Sequence, residues 1–265
     1  IFNFASYYCA MALGKEKDPE LKLVFHDLRE IRVTVAYPLL LELYHDYKND
    51  SLSKDDLLKA ARLVESYTFR RAVCSIPTNS MNKTFAQFGR KLKKDRYLES
   101  IHAEFLLQPS YRRLPRDDEF QRQIQIRDLY HLKNRSYWLR RLENFGRKER
   151  VSVDEYTIEH IMPQNPELSS DWQKSLGENW AQIQSTLLHT LGNLTLTAYN
   201  SEYSDHAFQK KRDMEGGFSQ SPLRVNQFTF DLEGEIKTLG SVDRWNDKTI
   251  NARAKAMAKH VRRVK

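Results

Sequence analysis

Ile158-Glu159-His160-Ile161-Met162-Pro163-Gln164 and, after an intervening polar segment, Gly192-Asn193-Leu194-Thr195-Leu196-Thr197-Ala198-Tyr199-Asn200 are the stretches on which the reading of this chain turns. Upstream of them apolar residues recur every three or four positions; at Val151 the period changes. Val151, Val153, Tyr156 and Ile158 fit an extended segment with one irregularity, which puts Glu159 and His160 at a strand end beside Pro163. Leu194 and Leu196 alternate with Thr195 and Thr197 as a second strand. Between the two, the segment from Asp171 to Leu188 predicts two short helices broken at Gly177, its apolar residues being Trp172, Leu176, Trp180, Ile183, Leu187 and Leu188. After the second strand, Ser204 or Asp205 can cap a helix covering Phe208 to Met214, ended by Gly216-Gly217. Strand, insertion, strand, helix is the skeleton of a ββα-metal finger. The expected fold is mainly α with a small β element, this motif being embedded in helices and its strands forming the one important sheet.

Working outward, the first half carries helix signals and almost no strand signals. From Leu21 to Tyr47 the apolar spacing is helical, with Pro38 predicting a kink or break after Tyr37. Ser53 before Lys54-Asp55-Asp56 has the form of an N-cap with an acidic first turn, opening a helix to about Cys74. Either Asn79 or Ser80 can open the next helix, through Phe88 toward Leu92, and further helices are expected at about Asp95 to Leu107, Arg116 to Tyr130 and Asn134 to Phe145, with Gly146 as a C-cap. Beyond Pro222 little is readable until a helix from Asp247 to Val261, whose Ile250, Ala254, Met257 and Val261 form a buried stripe that leaves the basic residues outside. The expected division is a helical companion domain at 1–149 and a second domain at 150–265, which carries the two strands and ends in this basic helix.

The chain has 265 residues, enough for one large core or two modest ones. Because it begins at Ile1 and not Met, with Ile1 to Leu13 already apolar and aromatic at helical spacing, it is expected to start inside a longer protein. No apolar run approaches the roughly 18 residues of a membrane span, and nothing at the start resembles a signal peptide. Cys9 and Cys74 form no metal spacing, and a reduced, cytoplasmic setting is the expectation. Lys plus Arg number 43 against 35 acidic residues, a formal net charge of +8, which favours polyanionic partners. The excess gathers in Arg90, Lys91, Lys93, Lys94 and Arg96, and again from Arg253 to Lys265, where Lys259, Arg262 and Arg263 are the candidate phosphate contacts.

Hydrolysis of a phosphodiester needs an activated water, charge neutralisation on the phosphate and help for the leaving oxygen. His160 is the candidate general base. A hard divalent cation, Mg²⁺ or Mn²⁺, prefers oxygen ligands, and Glu159 and Asn200 can supply a carboxylate and an amide oxygen. Asn193, at the start of the second strand, can bond backbone groups of the loop carrying His160 and so aim the imidazole. Lys210, Lys211 and Arg212 are candidates for phosphate contacts. His189 and His206 read more simply as helix-end or surface histidines.

Glu159 to Gln164, His189 to Thr197 and Tyr199-Asn200-Ser201-Glu202 together resemble the HNH-type C-terminal domain of GmrSD-type restriction endonucleases. The resemblance extends upstream through Arg70-Arg71-Ala72-Val73-Cys74, Pro77-Thr78-Asn79 and Leu142-Glu143-Asn144, and downstream through Phe208, Lys211-Arg212 and Gly216-Gly217-Phe218. It implies a metal-dependent DNA endonuclease that nicks or cuts foreign or modified double-stranded DNA in bacterial restriction and anti-phage defence. It also implies an N-terminal sensor or NTPase domain in the same longer protein, and a helical half that shapes a basic DNA surface. The third position of the motif, often His in the wider superfamily, is Asn200 here; His206 is the other side chain able to complete a metal shell. The alternative function is a catalytically silent helical module that binds DNA or protein.

Overall fold

The computed structural model describes residues 2–109, 111–133 and 136–261. The chain divides into two compact units, the first running up to Arg116 and the second beginning at Asp117.

In the first unit the helices are α1 (Phe2–Ala12), α2 (Pro19–Glu30), α3 (Tyr37–Lys48), α4 (Lys54–Val73), α5 (Met81–Phe88) and α6 (Tyr97–Leu106). Asp18 caps α2, its Oδ1 accepting from the backbone N–H of Glu20 and Leu21 at 3.0 and 3.1 Å, while Pro19 occupies the first turn, where no N–H is needed. Leu21, Val24, Phe25 and Leu28 then fall on one buried face. Pro38 starts a helix instead of breaking one: α3 opens at Tyr37 with the proline in its first turn, and the interruption lies upstream, at 31–36. Ser53 does cap α4, its Oγ accepting from Asp56 N at 3.1 Å. Ser80 immediately precedes α5 but makes no capping bond; its hydroxyl faces Tyr111 O at 3.4 Å. Several of the basic residues at 90–96 are engaged within the unit, Lys91 with Glu104 at 2.7 Å and Lys94 with Asp46 at 3.0 Å.

The second unit contains α7 (Asp117–Ile126), α8 (Tyr137–Asn144), β1 (Thr157–His160), α9 (Ser170–Leu176), α10 (Trp180–Leu187), β2 (Leu194–Thr197), α11 (Asn200–Tyr203), α12 (Phe208–Asp213), α13 (Arg224–Gln227), β3 (Phe230–Leu232), β4 (Glu235–Lys237) and α14 (Asp247–Val261). The break in packing thus precedes α7 and not residue 150, because α7 packs on α14 and α8 on α13. Glu143 of α8 fixes the second of these contacts, its two carboxylate oxygens accepting from the backbone N–H of Arg224 and Val225 at 3.0 and 2.9 Å at the start of α13.

β1 and β2 pair antiparallel, Glu159 opposite Thr195 and His160 opposite Leu194. Every residue of β2 is buried; beside β1 the strand packs on α13, and the same unit holds a core of Ile161, Met162, Trp172, Tyr203, Phe208 and Trp245. Gly177, at φ +89°, separates α9 from α10 as expected.

Two further features depart from expectation. A second antiparallel sheet, β3 with β4, lies in the stretch that was unreadable. Its two-residue turn, Glu233-Gly234, has φ of +55° and +92°, the geometry of a tight hairpin. Along α14 the expected apolar stripe is buried, but Arg253 is buried with it and not outside.

Candidate active site

β1 ends at His160 because the chain there must leave the sheet for Pro163, and Asn193 governs that exit. Its amide acts as a substitute peptide group: Oδ1 accepts from Met162 N at 2.8 Å and Nδ2 donates to Met162 O at 3.1 Å, so both backbone groups of Met162 are held by one side chain. The remaining capacity goes to Leu188 O at 2.9 Å and to the indole N–H of Trp245 at 3.0 Å. Asn193 is wholly buried, and all four bonds are what keep so polar a group there.

The loop before β2 is pinned from the other side by α14. Arg253 donates to Gly192 O at 2.7 Å, Leu194 O at 3.0 Å and Val225 O at 3.0 Å. No carboxylate among the described residues pairs with it, and full burial pushes its guanidinium down to about 9. Gly192 lies so close to α14 that a Cβ would stand 2.1 Å from Ile250 O, which excludes any side chain.

Adjacent strand residues face opposite ways, and here they enter different surroundings. Glu159 meets Lys211 of α12, whose Nζ donates to Glu159 Oε1 at 2.7 Å and to the carbonyls of His160 and Ile161, both at 3.3 Å. Burial pushes the Glu159 carboxyl up and the Lys211 ammonium down, while each group's charge favours the ionised form of the other. Lys211 is wholly buried, so it is a structural partner of Glu159 and not a surface contact for phosphate. Arg212 is also engaged, with Asp213 at 2.7 Å and Asp243 at 3.2 Å. Lys210 and Lys259 are exposed; Arg262 and Arg263 lie outside the described residues.

His160 faces the other way. Its Nε2 lies 3.0 Å from His189 Nδ1, and the Tyr130 ring meets it edge to face at 4.5 Å between centroids. Only 4% exposed, the imidazole is pushed down to about 3, first by burial and then by the neighbouring His189, Lys211 and His131. At neutral pH it is therefore an uncharged ring, with Nε2 turned to His189.

His189 was read as a helix-end or surface histidine, and Asp128 and His131 were not singled out. The backbone N–H of Leu129 donates to His189 O at 2.9 Å, which ties the loop after α7 to the end of α10. In that loop Asp128 accepts from His131 N at 3.0 Å and faces His131 Nδ1 at 2.8 Å. Burial pushes the Asp128 carboxyl up, but its bonds to His131 outweigh that and hold it low; His189 is pushed down, chiefly by burial. The Asp-x-x-His spacing of 128–131 was a readable signal, but nothing in the sequence joined it to His189.

Asn200 opens α11 and turns its amide nitrogen to β1, donating to Ile158 O at 3.0 Å and Thr157 Oγ1 at 3.1 Å. It is thereby tied to β1 at Thr157 and Ile158. A divalent ion bound by Glu159 and Asn200 would need the carboxylate that Lys211 already neutralises, and the ion would sit across the strand from the His160 ring. As arranged, this pair does not fit a resident ion. His206 is half-buried, its carbonyl accepting from Trp172 Nε1 at 3.1 Å.

Comparison with curated proteins and with solved structures finds no match. A family model does match, that of the GmrSD restriction endonucleases, C-terminal domain, over residues 114–260. The matched segment begins within a few residues of the second compact unit and takes in α7, the β1–β2 sheet and α14 up to His260. Since it spans more than half of the chain, the protein belongs to the GmrSD restriction endonuclease C-terminal domain family.

Proposed function

We propose that the chain hydrolyses phosphodiester bonds in double-stranded DNA, as the nuclease part of a bacterial restriction or anti-phage protein. Membership in a restriction endonuclease family implies nuclease activity; the observation that supports the finer reading is that His160 is held at the end of β1 by the Asn193 clamp on Met162. His160 is the group that takes a proton from water. The water oxygen then forms a bond to phosphorus, the bond from phosphorus to the leaving oxygen breaks, and that oxygen takes a proton from solvent. Asn193 contributes by fixing the backbone that aims the ring.

Lys210 and Lys259, with Arg262 and Arg263, are the proposed phosphate contacts; Lys211 and Arg212 leave that set for the reasons given above. Selectivity for foreign or modified DNA would reside in an N-terminal sensor or NTPase domain of a longer protein, and the cytoplasm is the setting in which it would act. Family membership points to divalent-metal use, with Mg²⁺ or Mn²⁺ the proposed ion. The test is conversion of supercoiled plasmid to open-circular or linear form by the full chain, with each of these ions and with chelator. Retention of DNA without any conversion would instead assign a catalytically silent binding module.

A further inference from the structure

We infer that Asp128, His131 and His189 form a binding site for a divalent transition-metal ion beside His160. One ligand atom from each residue lies within 4.8 Å of the other two, close enough for small rotations to bring all three onto a single ion. The loop is already built for it: Leu129 N donates to His189 O at 2.9 Å, and both oxygens of Asp128 are drawn toward His131, at 3.0 and 2.8 Å. The Tyr130 ring stacks on His189 at 5.4 Å between centroids and His131 packs edge-on to His189 at 4.6 Å, so the rings are held together before any ion arrives.

The donor set decides the class of ion. Two imidazoles and one carboxylate suit Zn²⁺, Mn²⁺, Fe²⁺, Co²⁺ or Ni²⁺, whereas Mg²⁺ prefers oxygen ligands and its own water. Asp128 and His131 are exposed and His189 half-exposed, so an ion there would keep open positions for water or phosphate oxygens, the pattern of a catalytic and not a structural metal site. His189 connects it to the proposed base, its Nδ1 lying 3.0 Å from His160 Nε2. The site also stands on the same side of β1 as the His160 ring, where the Glu159 and Lys211 pair does not reach.

As a metal site this stands without the nuclease reading; as the source of the catalytic ion it rests on that reading. Co²⁺ is the probe, titrated into the full chain while its visible d–d absorption is followed. The expected result is saturable binding at one ion per chain that is weakened at least 10-fold by Asp128→Asn, His131→Ala or His189→Ala. Glu159→Gln and Asn200→Ala should leave the Co²⁺ affinity unchanged. Circular dichroism of each variant checks folding, and Asp128→Asn and His131→Ala alter exposed side chains, so both should fold. No saturable Co²⁺ signal, or a signal removed by Glu159→Gln or Asn200→Ala but kept by Asp128→Asn and His131→Ala, overturns the inference. Co²⁺ binding as expected with no plasmid conversion in Mn²⁺, Co²⁺ or Mg²⁺ would leave the site standing and sink the nuclease reading.

Discussion

At the scale of single residues, the buried polar groups divide into those that hold the fold and those left free to react. Lys211 and Glu159 are of the first kind. Lys211→Met should cost about 3–5 kcal/mol in chemical denaturation, because it leaves a carboxylate buried at 4% exposure without its cation. The double change Glu159→Gln with Lys211→Met should restore much of that loss, and a single variant as stable as the parent would show that the pair is not formed. Asn193→Ala orphans both backbone groups of Met162 and the Trp245 indole N–H. About 1–3 kcal/mol for each orphaned group makes it strongly destabilising. Trp245→Phe is the gentler probe: it removes one bond to Asn193 and should lower the cleavage rate with little change in DNA affinity. Equal losses of rate and affinity would argue that Asn193 shapes the whole surface and not the aim of His160.

At the scale of elements, the β1–β2 pair depends on α14 passing close behind it. Gly192→Ala should therefore lower the melting temperature sharply, since the added methyl meets backbone and not a movable side chain; an unchanged melting temperature would mean that α14 can retreat. Much of this layout was legible. Period two at Leu194 to Thr197, the Gly177 break and the α14 stripe each reflect a local rule that packing did not override. Pro38 was misread because proline signals a helix start as well as a stop. Arg253 and Lys211 were misplaced for a different reason: a charged residue reads as exposed unless its distant partners are known, and Arg253 meets carbonyls 59 and 61 positions away in sequence. The same distance hid the Asp128, His131 and His189 cluster, and the β3–β4 hairpin was passed over because its strands are only three residues each.

For the molecule as a whole, the surplus of positive charge and the family assignment lead to the same expectation, a polyanionic substrate. Affinity for DNA should fall steeply with salt as neutralised phosphates release counterions. Charge reversal of Lys259, Arg262 and Arg263 to Glu should weaken binding to unrelated sequences alike, and a variant that binds as before would assign those residues to solvent or another partner. The measurement that bears most directly on the proposed function is plasmid conversion by the parent chain and by His160→Ala, at matched DNA occupancy and over a range of Mn²⁺ and Mg²⁺. The expected result is nicking or linearisation by the parent and a loss of about 100-fold or more in His160→Ala, with DNA binding retained. Undiminished cleavage by His160→Ala, or none by the parent under any of these ions, would contradict it.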